Sequence, residues 1–215
     1  KFYASLPPDW IAPMAKAGHE AGRYVSMHCQ SVPVLQAGAD GVDEFQHLDA
    51  LLGDIWPDHP AGWLELFGHP DFPTTLPRQA QVADRIRDLG LCNTPTLMIH
   101  ETYGDMYDPE FRLNEADRAC MPAKLVDFSI SPQPNPGMAR LWKDSILNSQ
   151  RFVSMLFERG VPILAGTDSP FGCMVPGRSL WGELALLAGC GLSPRQCLRA
   201  ATSEAASHLR APGIG

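Results

Sequence analysis

No stretch of this chain gathers lysine and arginine. With 17 basic against 24 acidic residues and a formal net charge of -7, nucleic acid and anionic membrane surfaces are disfavoured partners, because phosphate binding needs clustered positive side chains. Long apolar runs are also absent: none reaches the roughly 18 residues that a membrane span requires. The six cysteines (Cys29, Cys92, Cys120, Cys173, Cys190, Cys197) form no C-x-x-C pair and no regular spacing. That argues against a disulfide framework and a structural zinc site, and reduced, mostly buried thiols are expected. No G-x-G-x-x-G or P-loop follows an apolar strand, so a nucleotide-binding sheet lacks its motif. A cytoplasmic location is the expectation, with any targeting segment lying upstream of Lys1.

What is present is an ordinary globular composition, 45% apolar and 19% charged, with many turn formers, 19 Gly and 20 Pro. At 215 residues, one domain with a substantial core is expected. The opening Lys1-Phe2-Tyr3 and the closing Pro212-Gly213-Ile214-Gly215 both read as cut ends, so a longer polypeptide is expected.

Apolar period and punctuation divide the chain. Helices are predicted over 5–21, 31–38, 77–90, 138–159, 179–188 and 193–209, several opened by proline and closed by glycine. Short apolar runs at 24–28, 42–47, 92–99 and 161–165 read as strands. Residues 48–75 read as a loop with room for one short helix, and 100–136 as a long irregular stretch of a length that marks either a functional lid or disorder. Apolar strands alternating with amphipathic helices imply a parallel sheet covered on both faces. A doubly wound sheet and a (β/α)8 barrel both satisfy that pattern.

Three strands end on a polar residue: Met27-His28, Gln46-His47 and Thr167-Asp168. Ligands and catalytic groups gather at the carboxyl ends of parallel strands. Two imidazoles and a carboxylate suit Zn²⁺ or a similar divalent ion. Such an ion would lower the pKa of a bound water, and Asp168 can take the proton as that water attacks. Each residue alone has a plainer explanation. A lone strand histidine is commonly a hydrogen-bonded core residue, and Asp168 in Gly-Thr-Asp-Ser-Pro also suits a turn.

His100 follows a strand end and is placed at the mouth of the site. His59 and His69 read as solvated loop residues, and His19 and His208 as helical scaffold. Tyr103, Tyr107 and Arg112 are chosen to grip a substrate carboxylate. Trp56 and Trp63 fit either a pocket wall or a loop packed on itself.

In this order the residues resemble the amidohydrolase superfamily, in its imidazolonepropionase-like and prolidase-like branch. The matching segments are Lys1-Phe2-Tyr3-Ala4-Ser5, Val25-Ser26-Met27-His28, Ala37-Gly38-Ala39-Asp40-Gly41-Val42-Asp43-Glu44-Phe45-Gln46-His47 and Thr94-Pro95-Thr96-Leu97. Then come Gly160-Val161-Pro162-Ile163-Leu164-Ala165-Gly166-Thr167-Asp168, Glu183-Leu184, Ala188-Gly189-Cys190-Gly191-Leu192-Ser193-Pro194 and Leu198-Arg199-Ala200-Ala201-Thr202. Each segment is weak alone; the ordered series is strong.

The resemblance implies strands four to eight of a (β/α)8 barrel with one or two divalent ions. It implies that Lys1, carboxylated, bridges the ions, that His28 and His47 hold one of them, and that Asp168 holds the other and shuttles a proton. The implied activity is hydrolysis of an amide bond in a dipeptide, an N-acyl amino acid or a cyclic amide. The sequence departs from the family in two respects: no His-x-His pair occurs in it, and the segments for the first barrel strands and for the small β-sandwich that the family's termini form are not found. A catalytically incomplete barrel remnant that binds a ligand or partner is therefore the alternative. The partner of either form is a small molecule, and homo-oligomerisation is left open.

Overall fold

The computed structural model describes residues 1–58, 67–129, 134–170, 174–211 and 213–214, with backbone alone at 127–129. His59, Trp63 and Cys173 lie outside these residues. At the centre is a parallel sheet of three short strands, β1 (Ser26–His28), β2 (Glu44–Gln46) and β3 (Cys92–Thr94), in that spatial order. Met27 stands beside Phe45 and Phe45 beside Asn93.

Two further segments extend the sheet by single parallel bridges, Phe2 on Met27 and Ile163 on Asn93. Backbone hydrogen bonds fix both: Phe2 N–H donates to Ser26 O at 2.8 Å, and Leu164 N–H to Asn93 O at 2.8 Å. Five parallel chain segments therefore lie side by side. The expected strand over 161–165 is reduced to one bridge. The expected strand over 92–99 ends at Thr94, because the chain turns at Thr96 into a helix.

Helices cover the sheet: α1 (Pro8–Glu20), α2 (Val34–Ala39), α3 (Leu52–Ile55), α4 (Leu76–Asp88) and α5 (Met98–Tyr107). After them come α6 (Glu115–Ala119), α7 (Ala123–Ser129), α8 (Pro136–Glu158), α9 (Arg178–Gly189), α10 (Pro194–Ala201) and α11 (Ser203–His208). Local sequence sets many of the ends. Asn135 accepts the Met138 N–H at the start of α8, and Ser193 forms a reciprocal capping box with Gln196 at the start of α10, which satisfies amides the helices leave unpaired. Gly90 and Gly160 end α4 and α8 with positive φ, 69° and 83°, a conformation that costs glycine little.

Met27, Phe45, Ile86, Phe152, Val153 and Leu156 are fully buried between sheet and helices. This burial fixes which way each strand points, and so where its last residue falls. The stretch 100–136, expected to be an irregular loop, carries α5, α6 and α7. The last helix expected, over 193–209, is broken at Thr202 into α10 and α11. Among the described residues no helix is long and apolar enough to cross a membrane.

Candidate active site

The carboxyl ends of the strands open into a cavity of about 230 Å³. His28, His47 and Asp168 line it, together with His100 and Tyr103. The His28 and His47 rings are 4.4 Å apart between centroids. His47 Nε2 lies 3.8 Å from Asp168 Oδ2. Three residues distant in sequence thus meet at one pocket.

His47 is held from several sides. Its backbone N–H donates to Thr94 O at 2.9 Å, and the buried Asn93 amide donates to Phe45 O and His47 O. Its Nδ1 is 2.6 Å from Thr96 Oγ1, and the same hydroxyl donates to Pro95 O at 2.7 Å. A hydroxyl has one hydrogen. Directed at the Pro95 carbonyl, it leaves the oxygen only an acceptor toward the imidazole, which assigns the Nδ1–H tautomer to His47. Nε2 then carries a bare lone pair, buried and without a hydrogen-bond partner. Burial, and after it the neighbouring His28, pushes His47 down to about 4 despite the opposing charges of Asp49 and Asp168. The ring is neutral at pH 7.

Backbone strain is concentrated here. His47, Thr96 and Asp168 have φ of 63°, 52° and 59°, a region that costs side-chain-bearing residues roughly 1–3 kcal/mol each. All three residues border the cavity. Gly166 lets the Asp168 segment approach β3, since a Cβ there would meet Thr94 Cγ2 at 2.7 Å.

His28 contacts Asp49, with Nε2 3.4 Å from Oδ2, and packs edge-on against Tyr3. Burial alone would raise the Asp49 carboxyl, but hydrogen bonds from His28 and Gln30 outweigh it and hold it below its ordinary value. Asp49, Thr96, Gln30 and Trp142 all line the cavity and were missed by sequence reasoning. Only Asp49 left a trace there, as a carboxylate two residues after His47.

His100 belongs to the wall rather than the mouth. Ser145 and Ser149 hydroxyls contact its two ring nitrogens at 2.7 and 3.3 Å, and burial pushes it down to about 4. Tyr103 stacks on Trp142 at 4.6 Å, and burial, followed by the charges of Tyr107 and Asp168, pushes it up to about 12. Tyr107 stacks behind Tyr103, outside the lining. Arg112 does not reach this cavity. Its guanidinium donates to Pro109 O and Phe111 O, and it borders a separate hollow beside α5 and α9. Lys1 is exposed. By strand alternation it shares a face with Tyr3, and its charge is felt at His47, yet it does not line the cavity.

The donor set suits a divalent ion in its chemistry: two imidazoles and two carboxylates, with His47 Nε2 unprotonated and facing a carboxylate oxygen. Two acceptors that face each other favour a positive charge between them. As arranged, the donors stand in pairs, His28 with Asp49 and His47 with Asp168. Among the described residues no group of three or more His, Cys, Asp or Glu is drawn together as ligands of one ion.

No protein-family model and no curated protein matches this sequence. Solved structures do match. A bottromycin amidohydrolase aligns over 99% of this chain and 46% of its own, with a TM-score of 0.68 and 20% identity. A. niger ochratoxinase aligns over 98% and 36%, at 0.58 and 16%. A Xaa-Pro dipeptidase with bound methionine in the active site aligns over 98% and 40%, at 0.57 and 16%. The fold is amidohydrolase-like. The chain spans less than half the length of these structures. This amidohydrolase-like fold accounts for the parallel segments whose carboxyl ends meet at one cavity.

Proposed function

We propose that the chain is a single domain comprising strands four to eight of a (β/α)8 barrel. Its activity is metal-dependent hydrolysis of an amide bond in a dipeptide, an N-acyl amino acid or a cyclic amide. The observation that carries this reading is the pairing of His47 Nε2 with Asp168 Oδ2 at 3.8 Å, on strained backbone at the mouth of a mostly apolar cavity. The solved structures similar in fold include amidohydrolases and a dipeptidase, and their names support hydrolysis of an amide bond.

His28, His47 and Asp168 would hold Zn²⁺ or a similar divalent ion, one or two in number, with carboxylated Lys1 completing a two-ion site. Such an ion, when bound, polarises a carbonyl and makes bound water acidic near neutral pH. Asp168, half exposed, takes the proton of the attacking water and delivers it to the leaving amine. His47 stays neutral and presents Nε2. The wall of Tyr103, Trp142 and Phe67 excludes water and receives an apolar side chain of the substrate.

The standing of the donors in pairs favours a second reading, a ligand-binding remnant without turnover. A panel of dipeptides, N-acyl amino acids and cyclic amides offered to the full-length protein separates the two. Release of amine that stops with chelator and resumes with added Zn²⁺ or Co²⁺ supports the hydrolase. Saturable binding without release supports the remnant.

A further inference from the structure

We propose that Glu183, on α9, is a positioning residue that fixes the tautomer of His47 by holding the strained turn at Thr96. The inference rests on the reading that His47 works in the site.

Glu183 is fully buried, far from the cavity in sequence and outside its lining. Its two carboxylate oxygens accept from consecutive backbone amides, Leu97 N–H at 3.0 Å and Met98 N–H at 2.8 Å. These amides open α5, which has no side-chain cap of its own. A carboxylate at a helix N-terminus satisfies otherwise unpaired donors and meets the positive end of the helix dipole. Its burial is costly even so: desolvation pushes Glu183 up to about 7 against the two amide hydrogen bonds.

The clamp sits immediately after Thr96. That residue is buried with φ of 52°, a conformation a β-branched side chain adopts only under constraint. With Leu97 and Met98 anchored, the Thr96 hydroxyl is placed to donate to Pro95 O and to accept from His47 Nδ1. Nε2 is thereby left unprotonated toward Asp168. Three links join α9 to the imidazole: carboxylate to amides, turn to hydroxyl, hydroxyl to Nδ1. Gly182 permits the close approach, since a Cβ there would lie 2.5 Å from Met98 Sδ.

A plain helix cap would affect stability alone. The distinguishing readout is the protonation pattern of the His47 ring, seen by long-range ¹H–¹⁵N correlation on ¹⁵N-histidine-labelled full-length protein. The spectrum is taken with chelator present, because a cation on Nε2 would impose the same tautomer. His47→Gln assigns the signals. The wild type is expected to show Nδ1–H alone. Glu183→Ala and Thr96→Val are expected to show a clear Nε2–H population, and Thr96→Ser is expected to keep the wild-type pattern.

A folded Glu183→Ala protein that retains pure Nδ1–H overturns the proposal, as does Thr96→Val with an unchanged spectrum. Should Glu183→Ala fail to fold, Glu183→Gln replaces it, with shifted populations in support and an unchanged spectrum against. Loss of the hydrolase reading would show separately, as absence of turnover in the wild type with these tautomer shifts intact.

Discussion

His47 Nε2 and Asp168 Oδ2 face each other across 3.8 Å, and the imidazole nitrogen is buried without a hydrogen-bond partner. Each stands on left-handed backbone at the end of an extended segment. Packing of β2 against β3 and of Ile163 against Asn93 holds the two ends level. A cation placed between the two would be attracted by both.

The Asp168 segment depends on the missing side chain of Gly166. Gly166→Ala is expected to lower stability by about 1–3 kcal/mol, the usual cost of forcing a methyl into a packed contact, because Thr94 is β-branched and cannot swing away. Urea unfolding measures this. The variant is also expected to lose turnover beyond its loss of folded protein, since Asp168 moves with the backbone.

Trp142 is nearly buried and stacks on Tyr103, with its ring also against His100. Trp142→Ala is expected to cost about 3–5 kcal/mol and Trp142→Phe distinctly less. In the surviving Phe variant KM is expected to rise more than kcat falls, as follows from the proposal that this wall receives an apolar part of the substrate. Thermal unfolding and steady-state kinetics report the two effects.

Much of this site was legible in the sequence, and the reason is directional. A parallel strand covered on both faces is apolar until it ends, so His28, His47 and Asp168 stood out as polar residues at the ends of apolar runs. Asp49 lay in a segment that read as a loop and Thr96 inside an expected strand, and nothing local says that either side chain meets an imidazole. Trp142 fitted the helical period of α8 and looked like ordinary core. Helix α5 escaped notice because its cap is Glu183, supplied from α9, and because Gly104 interrupts it. That glycine is needed, since a Cβ there would meet Lys143 Cγ at 2.9 Å. Arg112 was chosen for its charge alone, which carries no information on where its carbonyl partners would turn it.

The wall histidine gives a pH signature. Burial lowers His100 from the ordinary 6.5 to about 4, so between those values the unfolded chain binds a proton that the folded one refuses. Its contribution is complete above pH 6.5 and is lost as the pH falls toward 4. Glu183 and Asp54, raised by burial to about 7 and about 6, act in the opposite sense over overlapping ranges, so the signal lies in a difference. Relative to His100→Gln, the wild type is expected to lose on the order of 2 kcal/mol between pH 7 and pH 5. Urea midpoints for both proteins at the two pH values measure it. A constant difference would mean that His100 titrates normally.

The most direct measurement is kcat of the full-length Asp168→Asn protein on an amide substrate that the wild type cleaves. Asparagine keeps the size of the half-exposed side chain but cannot accept the proton. Folding, judged by circular dichroism and unfolding midpoint, is expected to be unchanged while kcat falls about 10²–10⁴-fold. Wild-type turnover in that variant would contradict the role given to Asp168 and, with it, the hydrolase mechanism.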